Sequence, residues 1–118
     1  MITYIDTIEI DNLLRNKDFS FYILDGNKMH TGNGLFTEIA EKLQFPDYFG
    51  KNWNALDECL QDLDWLDSGS IKILITDFNE ILKDDHFEEK NIFIACLTDA
   101  DIFWKTEQTK TVDFYIQK

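Results

Sequence analysis

Basic residues are scarce in this 118-residue chain: 11 Lys and Arg stand against 23 Asp and Glu, a net charge of −12. That sign argues against nucleic acid and against an anionic membrane surface, because both need clustered cations. It leaves a cationic partner, or solubility alone. Long apolar runs are absent too. None approaches 18 residues, so no membrane span is expected, and the opening Met1 to Asp6 does not read as a secretory leader. Cysteine occurs twice, at Cys59 and Cys96, far apart and inside apolar helical patterns. The pair fits neither a metal site nor a redox motif, and both read as small core residues of a cytoplasmic protein. The two histidines, His30 and His86, have no ligand partner at metal spacing and read as surface groups. Glycine is equally sparse. The segment Gly32-Asn33-Gly34 has neither a third glycine nor a Lys-Ser/Thr ending, so no phosphate loop is present. Carboxylate pairs for acid–base work are too common here to be informative. No enzyme, cofactor or metal is expected.

What is present is enough to build a core. Apolar residues make up 44% of the chain and aromatics 14%, which suits one domain over 1–118 without staples. Continuous apolar runs at 21–24, 71–75 and 112–116 read as buried strands. Between them lie helical patterns: 35–43, closed by the only proline, Pro46; 53–63, opened by Asn52 as N-cap; a short piece over 78–82; and a long helix from Phe87 to the region of Trp104. The first twenty residues are less regular. Ile2, Tyr4 and Ile5 suggest a short strand, and Ile8, Leu13 and Leu14 a short helix ending near Asn16 and Lys17. Alternating strands and helices imply an α/β domain: a small three-stranded parallel sheet covered by helices, with an N-terminal extension.

One segment carries more than a fold. At about 100° per residue, Trp53, Leu56, Cys59, Leu60 and Leu63 occupy one half of the second helix. Asn54, Asp57, Glu58, Gln61 and Asp62 occupy the other. Residues 47–67 hold six acids against Lys51 alone, and two aromatics, Tyr48 and Phe49, precede Gly50, where a glycine permits a tight reversal. Taken blandly this is a solvated amphipathic helix. Taken functionally, aromatic anchors beside directed carboxylates suit a cationic protein cleft.

The same segment resembles the barstar family of ribonuclease inhibitors. The shared positions are Pro46, Asp47, Tyr48, Phe49, Gly50, Asn52, Trp53, Ala55, Leu56, Cys59 and Leu60. The likeness extends over about residues 21–116, leaving 1–20 and 101–111 as extra or longer pieces. It implies a non-enzymatic immunity protein that binds a basic secreted ribonuclease, or a related toxin, in the cell that makes it. Carboxylates stand in for RNA phosphates, and a tyrosine covers the catalytic histidine. Carried over, the candidate partner-binding residues are Tyr48, Phe49, Gly50, Asn52, Asn54, Asp57, Glu58 and Asp62.

Four of them depart from the family pattern. Asn54 and Glu58 stand where the best-known member has aspartates, Asp57 replaces a common tryptophan, and Phe49 lacks a frequent hydroxyl. Asp99 and Asp101 are both candidates for a late-helix acid. A non-nuclease basic partner of the same surface remains the alternative reading.

Overall fold

In the computed structural model, residues 1–15 and 21–118 are described. The elements are β1 (Ile2–Ile5), α1 (Thr7–Arg15), β2 (Phe21–Asp25), α2 (Gly32–Lys42), α3 (Trp53–Leu60), β3 (Ser70–Thr76), α4 (Phe87–Glu107) and β4 (Thr111–Gln117). Short 3-10 turns occupy Gly26–Lys28 and Phe78–Glu80.

Strands β3 and β4 form the centre. Their parallel register sets Ile71, Ile73 and Ile75 opposite Val112, Phe114 and Ile116. Side chains alternate across a strand, so these six point to one face, where Leu35 and Ile39 of α2, Leu56 and Leu60 of α3, and Phe93 and Leu97 of α4 close over them. The alternate residues point the other way. There Lys72 lies opposite Asp113, with its ammonium 3.0 Å from that carboxylate and 3.5 Å from the Tyr115 hydroxyl. Burial lowers the Lys72 pKa, but the hydrogen bond and charge of Asp113, with Tyr115, outweigh it and hold the ammonium above its ordinary value. A buried charge so matched makes other registers costly, since any slip takes its ammonium away from the Asp113 carboxylate.

The sheet has four strands, not three, in the order β1-β4-β3-β2, and every neighbouring pair is parallel. The expected N-terminal extension is therefore part of the sheet: β1 pairs with β4 over Ile2–Ile5. Its signal was faint because the strand has only four residues and offers one isoleucine to each face, Ile2 to the main core and Ile5 to a second cluster. What makes it a strand is the unpaired backbone edge that β4 would otherwise present. The end of α1 near Asn16 and Lys17 lies outside the described residues.

Chirality explains where α1 goes. The chain steps β2, β3, β4 in one direction across the sheet, with α2 to α4 on one face. The step from β1 to β2 runs the opposite way, so a right-handed crossover must use the other face. Accordingly Ile5, Ile10 and Leu13 pack with Leu74, Tyr115 and Phe21 in a second, smaller cluster.

Other boundaries shift for local reasons. The apolar run of β2 is an edge strand, and its Ile23 is 41% exposed. The helix expected over 78–82 is only the turn at Phe78–Glu80. Beyond it Leu82 adopts φ 58° and gives its N–H to the Met29 carbonyl at 2.7 Å. Helix α4 runs on to Glu107 and ends at Gln108, whose left-handed backbone returns an N–H to Trp104. Both cysteines are free and buried, as expected. Burial pushes both thiols up, Cys96 to about 11 with help from Asp57 and Asp99, which favours the protonated form of each. No helix among the described residues is long and apolar enough to cross a membrane, and none of their His, Cys, Asp and Glu groups could hold a metal.

If α1 seals the second face, Ile10→Ala should cost about 2 kcal/mol of stability, because Ile10 is buried. Ile8→Ala, about 200° round the helix from Ile10 and 72% exposed, should stay within about 0.5 kcal/mol. Urea unfolding of the two variants measures the contrast.

Candidate partner-binding site

The site begins where α2 stops. Gln44 turns into the left-handed region and Phe45 returns its N–H to Ala40, which throws the chain outward into residues 46–52. Aromatic packing then sorts that loop. Phe49 donates its N–H to Pro46 and lays its ring edge-on against Phe45 at 4.9 Å and Phe36 at 6.1 Å. Phe45 in turn meets Trp65 at 5.7 Å. With Phe49 turned inward, its neighbour Tyr48 is forced out and is 73% exposed.

Gly50 does not make the reversal that its presence suggests. No described glycine has a positive φ, and it is Lys51, at φ 49°, that takes the left-handed conformation. Glycine is favoured at 50 by crowding instead, since a Cβ there would meet the Asn52 amide nitrogen at 3.1 Å. Asn52 caps α3 as expected: its side-chain oxygen accepts from the Ala55 N–H at 2.8 Å, and its amide donates to the Gly50 carbonyl.

Helix α3 ends at Leu60, short of Leu63. Its last turn tightens, with Asp62 N–H bonded to the Cys59 carbonyl, and Leu63 reaches the core in a left-handed conformation, φ 53°. Leu56, Cys59 and Leu60 are buried, while Asn54 and Glu58 are exposed on the outer side. Just past the helix, Asp62 comes under Tyr48. Together Tyr48, Ala55, Glu58, Cys59 and Asp62 line a recess of about 100 Å³. The Tyr48 phenol is held above its ordinary value by desolvation first, then by Asp62, Cys59, Asp64 and Glu58, which records how closely negative groups gather round it. A hollow of about 430 Å³ beside Met1, Lys105 and Asp113 is larger.

Asp57 does not join that group. It is half-buried, lies on the side of α3 nearer Asp99 of α4, and accepts from Gln61, the residue that caps α3, at 3.3 Å. Desolvation, then the charge of Asp99, push its carboxyl above the usual range, with Gln61 opposing and Glu58 adding. Of the two late-helix candidates, the geometry separates one from the other. Asp99 is exposed and near Asp57, whereas Asp101 is buried and pairs with the Met1 ammonium and with Lys105 at 2.9 Å. The candidates thus divide three ways. Tyr48, Glu58 and Asp62 cluster, with Asn54 along the same outer face. Asp57 and Asp99 form a second acidic spot at the α3–α4 seam. Phe49, Gly50 and Asn52 shape the loop. Asp64 was not among the expected residues, and its place near Tyr48 follows from the turn after α3, which helical spacing cannot show. His30 faces Glu80 at 3.5 Å and His86 caps α4, both away from α3's acids.

Comparison with known proteins gives the family. A family model described as Barstar (barnase inhibitor) matches residues 19–117. The chain belongs to the barstar family. A Bacillus subtilis (strain 168) protein named "Putative ribonuclease inhibitor YrdF" is 31% identical over 77 residues, which is 65% of this chain and 71% of that protein. Barstar-family proteins are ribonuclease inhibitors and not enzymes. The match starts at residue 19, so β1 and α1 lie before the part the family model describes.

Partial burial of Asp57, with Asp99 nearby, has a measurable cost. Because the Asp57 carboxyl is raised on folding, its ionised form destabilises the free protein at neutral pH, and the penalty fades as pH falls through the raised value. Asp57→Asn, which keeps an oxygen for Gln61, should raise the melting temperature at pH 7 by about 1–3 °C. The gain should shrink on acidification and vanish once the parent carboxyl is protonated, as thermal melts across pH will show.

Proposed function

We propose that this chain inhibits a basic ribonuclease by seating α3 and the 46–52 loop in its active-site cleft. One observation carries the reading: a tyrosine 73% exposed stands at the mouth of a recess walled by Glu58 and Asp62. A large aromatic left in water beside two carboxylates is poor design for a free surface and good design for a cationic one. The phenol ring supplies apolar contact area and a face for a cation, and the carboxylates supply charge-assisted hydrogen bonds.

The mechanism is substitution of one polyanion for another. A ribonuclease lines its cleft with cations to hold RNA phosphates. Glu58, Asp62 and Asn54 along one face, with Asp57 and Asp99 on the flank, offer oxygens to the same groups without a bond to cleave. The net charge of −12 steers the encounter, and the aromatic packing beneath the loop keeps the surface ordered before contact. The buried thiols fit a cytoplasmic home, with the elements of 1–118 acting as one barstar-like domain. The second reading, a basic partner that is not a nuclease, draws on Asp57, where a charge replaces an aromatic common in the family. Affinity purification from the parent cells, then RNA cleavage by the captured protein with and without this chain, separates the two.

Binding should reside in few residues. Glu58→Ala and Tyr48→Ala should each lose at least about 2 kcal/mol of affinity, while Asp67→Ala, an exposed charge beyond α3, should lose under about 1 kcal/mol. Melting temperatures should hardly move in any of them. Calorimetric titration against the captured nuclease reads the affinities. Parent-like binding by both Glu58→Ala and Tyr48→Ala would place the surface elsewhere.

Steering makes a separate kinetic prediction. Association should slow steeply between roughly 0.05 and 0.5 M salt, with dissociation changing less. Stopped-flow mixing measures both rates, and a flat association rate would leave the charge a solubility feature only.

A further inference from the structure

We infer that Trp53 and Glu89 are positioning residues that set the rotation of α3 before a partner arrives. The inference rests on the reading of α3 as the element that enters the partner's cleft. The Trp53 indole N–H donates to the Glu89 carboxylate at 2.7 Å, from the first residue of α3 to the first turn of α4. At the other end of α3, the Trp104 indole of α4 donates to the carbonyl of Leu60, the last residue, at 2.8 Å. The two helices are therefore tied at both ends of α3, with the donor on α3 at one end and on α4 at the other.

The need for such ties follows from the helix itself. Helix α3 has eight residues, and an isolated helix below about 12–15 residues is marginal. Its buried side chains, Leu56, Cys59 and Leu60, fix its depth, but apolar burial is non-directional and constrains rotation weakly. Rotation is what matters at this surface. Trp53 and Asp57 are four residues apart on the stripe that faces α4, and Glu58 lies about 100° round the helix from Asp57. Locking Trp53 toward Glu89 thus keeps Asp57 beside Asp99 and leaves Asn54 and Glu58 outward. The Trp53 ring is itself held, edge-on to Phe36 at 4.9 Å and tilted against Phe93 at 6.4 Å. An indole between two core rings would fill that space without its nitrogen. The short bond to a carboxylate adds a direction that packing does not supply.

The test is native-state hydrogen exchange on the full chain, comparing the parent with Trp53→Phe, Glu89→Ala and Glu89→Gln. Amides in the body of α3 should exchange about tenfold faster in Trp53→Phe and Glu89→Ala. Glu89→Gln keeps an acceptor and should remain close to the parent. Amides of β3 and β4 should be unchanged, and the Trp53→Phe/Glu89→Ala double variant should be no worse than either single one, as two ends of one bond require. Parent-like exchange in α3 for both single variants would overturn the proposal. So would an equal rise in β3 and β4, which would make Trp53 an ordinary core residue. With barnase as the binding probe, dissociation should quicken about tenfold in Trp53→Phe, while the association rate and its salt slope stay at parent values. A loss carried by association would overturn the proposal as well. Failure of the parent chain to bind any ribonuclease would count against the inhibitor reading alone, since the exchange experiment needs no partner.

Discussion

The register of β3 against β4 is the constraint from which the other features of this molecule follow. Ile71, Ile73 and Ile75 opposite Val112, Phe114 and Ile116 give one face an unbroken apolar surface. Lys72 opposite Asp113 marks the other face and penalises any slip. Three helices rest on the first face and one on the second, and the direction of each crossover decides which. Helix α3 never follows a strand directly. It is carried between α2 and β3, held over the sheet by Leu56 and Leu60, and tied to α4 by hydrogen bonds from two tryptophans. A site on such an element inherits the rigidity of the strands beneath it.

Rigidity and charge are in tension at this surface. Acids collect at Glu58, Asp62 and Asp64 on one side of α3 and at Asp57 and Asp99 on the other, with little between them to neutralise the field. Repulsion of this kind weakens the free fold, and under the proposed function it would be relieved by the cations of the partner. The protein tolerates it because the loop and helix that bear the acids are anchored from below by neutral contacts: the Phe36, Phe45 and Phe49 rings, and the Asn52 cap. None of these anchors carries a charge that the surface could disturb.

The amino-acid sequence by itself determined the α/β class, the strands at 71–75 and 112–116, the Asn52 cap and the burial of the two cysteines. Each of these rests on local pattern: continuous apolar runs, an oxygen-bearing side chain just before a helix, thiols inside an apolar stripe. The dense motif from Pro46 to Leu60 was legible as family resemblance for a related reason, since loop turns, caps and helix faces are specified within a few residues. Other features were settled only in the tertiary structure. Whether Ile2–Ile5 is a strand depended on the open edge of β4, more than a hundred residues away. Helix α3 stopped at Leu60 and not Leu63 in a place where no proline or glycine marks the end. Asp57 looked like one more outward acid until packing turned it toward Asp99, and Asp101 looked equivalent to Asp99 until it paired with Met1 and Lys105. Helical spacing gives the angle between side chains on one helix. Only the packing of that helix on its neighbours gives the direction in which each angle points.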